Sequence, residues 1–275
     1  MFADQRLFRA VAFRTERLND FDALRAVFDV PVVSFGEVVN FGENVIADSS
    51  IQVQHMKLRS ASRFTISPLL EQARVVGSEN PLFDYDFYVI NLLLEPQPVG
   101  LLAVPFRGMY GELLPLIVAP DGSAPSFLVL QLAKAVETIA STAPEGGLIS
   151  VTSFEAIVEG DPNVRVVQLT GSDTIHSDMY GVFDSSRRFR LMPKKCTFTY
   201  DDHNGKVMQF TSDRYGNYAF RIGAKARNLI SLPDVFEFFL RREVTRSSWS
   251  SPLDRVEEKE TRVDETETGE DSDEL

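Results

Sequence analysis

Two apolar runs, Phe87–Leu94 and Val99–Phe106, flank Glu95-Pro96-Gln97-Pro98 and constrain the fold more than any other feature of the chain. Neither run alternates between apolar and polar residues, so neither can lie as a strand with one wet face. Apolar segments of this length belong in the middle of a sheet, covered above and below. The proline-bracketed connection predicts a hairpin of two central strands, with the core of the N-terminal part around it. Asn91, Glu95, Pro96, Gln97 and Pro98 also break the stretch well short of the roughly eighteen apolar residues that would cross a bilayer.

Upstream signals are mixed. Asn19-Asp20 followed by Phe21, Leu24 and Phe28 predicts a short helix over 20–28, and Ser67-Pro68 followed by Leu69, Leu70, Ala73 and Val76 predicts a second. Residues 32–48 show no period. Over Ser50–Arg59, Ile51 and Val53 fall on one face and Met56 and Leu58 on the other, which predicts a strand bulged near Gln54-His55. Pro125 is expected to open a helix with Leu128, Leu132, Val136 and Ile139 on one stripe, ending at Pro144-Glu145-Gly146-Gly147.

Past that breaker the pattern turns to strands: Leu148–Val158, Val164–Leu169, Lys195–Tyr200, Lys206–Thr211 and Tyr218–Ile222. Turn-rich connections predict that the last three form an antiparallel meander, with Cys196, Phe198 and Tyr200 sharing one face, as Tyr218, Phe220 and Ile222 do. Leu232, Val235, Phe236, Phe239 and Leu240 follow the helical template, with Pro233 in the first turn and Ser231 and Asp234 spaced as a capping-box variant. This helix is expected to close the apolar face of the meander. From Ser248 the chain offers little to bury among Glu, Asp, Ser and Thr, so ordering it would cost more than it returns. The expected fold is therefore α+β: a mixed N-terminal sheet with flanking helices (1–145), an antiparallel meander closed by an amphipathic helix (146–247), and a disordered acidic tail (248–275).

The single cysteine, Cys196, excludes an internal disulfide and a thiolate metal cluster. With no basic, apolar leader in the first residues, a cytoplasmic location is expected. The net charge of −12 is unevenly spread. Residues 187–228 carry ten basic and three acidic side chains, whereas the last 22 residues carry eleven acidic and three basic.

That basic island is the most pointed candidate site. Arg187, Arg188, Arg190, Lys194, Lys195 and Arg221 on an outward sheet face, with Tyr215 and Tyr218 nearby, could track a phosphate backbone or stack bases. The plain alternative is a solvated face paired with the protein's own acids. The acidic tail could compete for the island, recruit a basic partner, or simply keep the protein soluble. Gly171–Asp178 holds three hydroxyls, two carboxylates and His176, but neighbours in a loop seldom converge as a catalytic set, so a hydrogen-bonded polar turn is expected. Asp84, Asp86 and Glu95 flank an apolar strand, as the magnesium ligands of a metal-dependent hydrolase or nuclease would, or as turn residues would. His55, His176 and His203 lack metal-ligand spacing, and no phosphate loop, dinucleotide fingerprint or nucleophile elbow occurs.

These observations favour a non-catalytic binding or regulatory protein, acting as a protein-assembly adaptor or nucleic-acid-associated accessory factor through its C-terminal basic sheet. Exposed Phe238 and the strand edges would serve assembly. A protein partner or self-association is expected, nucleic acid is the second class of partner, and neither a membrane, a cofactor nor a metal is expected. The alternative is the hydrolase built on Asp84, Asp86 and Glu95.

Overall fold

The computed structural model describes residues 6–15, 18, 36–47, 50–60, 83–117, 124–142, 148–160, 163–184, 190–201, 207–222 and 227–249. Their strands are β1 (Arg6–Arg14), β2 (Gly36–Ala47), β3 (Ile51–Ser60), β4 (Phe83–Leu92), β5 (Val99–Val104), β6 (Ser126–Leu130), β7 (Leu148–Glu159), β8 (Val166–Thr170), β9 (Arg190–Asp201), β10 (Val207–Asp213), β11 (Asn217–Ile222) and β12 (Thr245–Ser248). Four short helices accompany them: α1 (Tyr110–Leu113), α2 (Leu132–Ser141), α3 (Asp178–Asp184) and α4 (Leu232–Arg241). The helices expected over 20–28 and from Ser67 lie outside the described residues, as does the acidic segment from 250 onward.

All strands join one sheet in the order β2-β3-β4-β5-β1-β11-β10-β9-β7-β8, with β6 and β12 branching from β1. Every pairing in it is antiparallel, which corrects the expectation of a mixed N-terminal sheet. A parallel pair needs a crossover, and α2, between β6 and β7, does not supply one because β7 pairs with β8 and β9. The branch arises on β1: one edge holds β5, while the other holds β11 along Arg6–Val11 and then β6 along Ala12–Arg14. Through β1 and β11 the sheet runs unbroken from the N-terminal to the C-terminal part.

β4 and β5 are the two-faced central hairpin that their composition demands. Tyr88, Ile90, Leu92, Leu101 and Ala103 enter one buried cluster. Phe87, Val89, Leu102 and Val104 enter a second, covered by Met109, Tyr110, Leu113 and Ile117 of the segment around α1. β3 shows the same division. It pairs with β4 without a register shift, so the expected bulge is absent from that ladder. Ile51 and Val53 serve the first cluster and Met56 and Leu58 the second, and the irregularity lies on the β2 side, around Asn40–Ile46. Gly100 is required where it stands: a Cβ there would lie 2.5 Å from the ring of Phe13, its partner across the ladder.

In the C-terminal part β9, β10 and β11 form the expected meander, and α4 closes its apolar face. The Phe239 ring meets Phe198 at 5.6 Å and Phe210 at 6.0 Å, while Phe236 meets Tyr218 at 5.5 Å. Ser231 is not the expected cap. It ends a 3-10 turn (Arg227–Ser231) that runs into α4, so its backbone is already helical and its side chain caps nothing. Phe238 is not exposed either; it is half-buried between Phe239 and the Arg242 guanidinium. The helix expected from Pro125 begins only at Leu132, because Phe127–Leu130 is buried throughout and pairs with both β1 and β12.

Candidate anion-binding cleft

Four segments distant in sequence converge where β6 meets α2. The first comes from the end of α4. Glu243 adopts a left-handed conformation (φ 53°), its amide bonds the Leu240 carbonyl at 3.0 Å, and the Val244 amide bonds the Phe239 carbonyl at 3.1 Å. This is a Schellman stop, completed by burial of Val244 in the same cluster as Phe239. It turns the chain into β12, whose Arg246 stands opposite Val129 of β6. The junction is then fastened to α2: the Gln131 amide donates to the Val244 carbonyl at 2.8 Å, and Lys134 Nζ donates to the Glu243 carbonyl at 2.9 Å.

The β10–β11 hairpin supplies the second wall. Asp213 organises it by accepting the amides of Tyr215 (2.9 Å) and Asn217 (3.0 Å) and the Asn217 side-chain amide (2.8 Å). Gly216 has φ +87°, and a Cβ on it would come within 3.1 Å of Val129 Cγ2, so glycine lets the hairpin lie against β6. Arg214 is placed next to that contact. Its amide donates to the Lys194 carbonyl at 3.0 Å and its guanidinium to the Tyr215 hydroxyl at 2.8 Å.

Lys194 is the extra residue of a bulge in β9, since Lys195 faces Glu155 of β7 while Pro193 already faces Ala156. The bulge sends the Lys194 ammonium to Glu155 Oε1 at 2.8 Å. N-terminal to it, Arg190, Leu191, Met192 and Pro193 form the remaining wall.

The result is an open cleft of about 500 Å³. Lys134, Arg190, Arg214 and Arg246 line it against a single carboxylate, Glu137. Its floor is apolar: Leu191, Met192 and Pro193 are half-buried along it, and Leu130 and Leu132 are almost wholly buried. Arg190 and Arg246 are exposed and make no ion pair among the described residues. The first turn of α2 opens on the cleft without a side-chain cap, so its positive end adds to the field. Cations concentrated in a concave, partly apolar site attract anions more strongly than the same charges spread over a flat surface.

The six cations singled out from sequence do not form one track. Arg187 and Arg188 lie outside the described residues. Arg190 lines the cleft, Lys194 is paired with Glu155, and Lys195 stands exposed opposite Glu155 and Asp213. Arg221 sits on β11, level with Thr199, so it is about 10 Å across the sheet and about 13 Å along it from Lys195. Tyr218 cannot stack on a ligand because it is buried, with its hydroxyl donating to the Leu128 carbonyl at 3.2 Å. Sequence reading missed Lys134 and Arg246 altogether and counted Arg214 only as one charge of the island. No local pattern marks these three; the β6–β12 pairing and the hairpin bring them together.

The other candidates resolve into structural pairs. Asp84 accepts Arg59 Nε at 2.9 Å, and that hydrogen bond holds its carboxyl below the ordinary range. Asp86 meets His55 Nε2 at 3.1 Å and Arg6 at 3.4 Å. Glu95 follows the far end of β4, about 20 Å or more from Asp86 at the usual rise per residue, so the three carboxylates do not share a metal. Among the described residues no cluster of His, Cys, Asp and Glu has metal-binding geometry. In the 171–178 loop, Asp173 holds His176 Nδ1 at 2.6 Å while Nε2 faces the Ala140 carbonyl at 3.4 Å, not a hydroxyl. Ser177 Oγ donates to the Thr174 carbonyl and accepts the Tyr180 amide, capping α3. This is the hydrogen-bonded polar turn expected.

No protein-family profile matches the chain, and neither a curated protein nor a solved structure is recognisably similar to it.

Proposed function

We propose that the protein is a non-catalytic binding factor that holds the phosphate backbone of a nucleic acid in the cleft between β6, α2, β9 and the β10–β11 hairpin. The observation that carries this reading is the convergence of Lys134, Arg190, Arg214 and Arg246 on one concavity in a chain whose net charge is −12. In an acidic protein, four cations gathered from four separate segments mark an anion site more sharply than a basic composition would. Arginine suits the task, since its planar fork matches phosphate oxygens bidentately.

The test is anisotropy of a labelled single-stranded oligonucleotide with the full chain and with the Arg190→Ala/Arg246→Ala double variant. Both arginines are exposed, so folding is retained. Binding by the parent that weakens more than about tenfold in the variant supports the reading, each charge-assisted contact contributing about 1–2 kcal/mol. Equal binding by both proteins removes the cleft as the site.

A second reading, protein assembly, is supported by β8. It ends the strand order, and its Val166 is 51% exposed, as an edge that receives another strand would be. Light scattering at several concentrations, with Val166→Lys as control, tests it: a mass that rises with concentration only in the parent supports assembly through this edge, and a constant monomer mass opposes it.

A further inference from the structure

We infer that the ligand of the cleft is a nucleotide unit with an unpaired base, so that the protein selects single strands over duplexes. This rests on the phosphate-binding reading and adds to it the role of the floor. A site built for phosphate alone needs only cations and amide donors. This one is also lined by the half-buried Leu191, Met192 and Pro193 of β9, and of these Met192, two residues from Arg190, lies on the same face of the strand as that arginine. Arg190 directly precedes the apolar triplet on β9, and Arg246 stands beside β6. A ligand fitting both parts has a flat apolar body and an anionic group close to it.

A nucleotide has that form: the base lies on the apolar floor and the phosphate reaches the arginine rim. In a duplex the base faces are stacked and only edges are offered in the grooves, so the floor stays empty. Polyphosphate likewise satisfies the rim alone. Met192 is well suited to the floor, because a flexible thioether adapts to different bases and gives no sequence preference. Selection for strandedness without selection for sequence follows from these side chains.

The experiment is competition against a labelled single-stranded 12-mer bound to the full chain. The competitors are unlabelled single strand, the corresponding duplex, inorganic polyphosphate of equal charge, and a nucleoside monophosphate; Met192→Ser is measured in parallel. The expected result is displacement by single strand at about tenfold lower concentration than by duplex or polyphosphate, with that advantage lost in Met192→Ser while polyphosphate binding is unchanged. Displacement by the monophosphate as effective as by the 12-mer also supports a nucleotide unit and assigns it to a free nucleotide. Equal displacement by single strand, duplex and polyphosphate overturns the inference while leaving phosphate binding standing. Absence of binding by the labelled strand overturns the phosphate reading itself.

Discussion

Arg246 stands opposite Val129 in the β6–β12 ladder, and that one pairing brings a cation from β12 to a cleft whose other wall starts at Arg190. The cleft depends on two backbone devices, the left-handed Glu243 that stops α4 and leads into β12, and the left-handed Gly216 that lets the β10–β11 hairpin lie against β6. Each can be altered alone, and the two changes have opposite signs.

Gly216→Ala adds a Cβ at φ +87°, 3.1 Å from Val129 Cγ2. The left-handed backbone costs about 1–2 kcal/mol for a residue with a Cβ, and the crowding adds to it. Thermal unfolding is expected to shift down by several degrees, and oligonucleotide affinity to fall because Arg214 moves with the hairpin. An unchanged melting temperature would show that the hairpin does not pack as described.

Glu243→Gly removes the same penalty where it is already present, while the carbonyl that Lys134 bonds and the amide bonded to Leu240 both remain. A stabilisation of about 1 kcal/mol is expected, read by denaturant titration, with binding unaltered. Loss of stability would mean that the glutamate side chain contributes more than the backbone strain it imposes.

How far such details could be read from sequence depends on whether they are local. The apolar runs of β4 and β5, the meander and the face of α4 were legible because burial on a given side dictates residue type at a fixed period. β3 misled for the same reason: Ile51 and Val53 on one face, then Met56 and Leu58 on the other, reads as a slip when only one face is assumed to be buried. Phe127–Leu130 fits a helix as well as a strand until β1 and β12 are known to flank it. The cleft was the least legible feature. Lys134, Arg214 and Arg246 are ordinary surface cations in sequence, and only long-range strand pairing makes them neighbours of Arg190.

Burial pushes the Cys196 thiol up to about 12. With its pKa raised in the folded state, the neutral thiol contributes stability that is fully present below the unfolded value of about 8.5 and is lost as pH rises through about 12. Native protein at pH 8 is expected to resist thiol-specific reagents, and to react once unfolded in denaturant. Rapid labelling of native protein would contradict the packing of β9 against the core.

Residues 254–275 carry eleven carboxylates and three cations, and they follow closely on β12, which ends at Ser248. Only five residues separate that strand from the acidic segment, and a polyanion on so short a tether is expected to compete for the cleft at an effective concentration on the order of millimolar. Ending the chain at Leu253 is expected to tighten oligonucleotide binding severalfold at about 50 mM salt, with the difference fading toward about 300 mM as screening grows. Equal affinity of the two chains at low salt would assign the acidic segment a role away from the cleft.

If the cleft cations neutralise phosphates, the salt dependence of binding by the full chain counts how many. Each phosphate neutralised on a single strand contributes a slope of about −0.7 to log K against log salt. With Arg190 and Arg246 making no ion pair among the described residues, and Arg214 and Lys134 beside them, the expected slope lies between about −1.5 and −3, reduced in magnitude by about 1.4 in the Arg190→Ala/Arg246→Ala variant. A slope near zero, or one that the double substitution leaves unchanged, would contradict it.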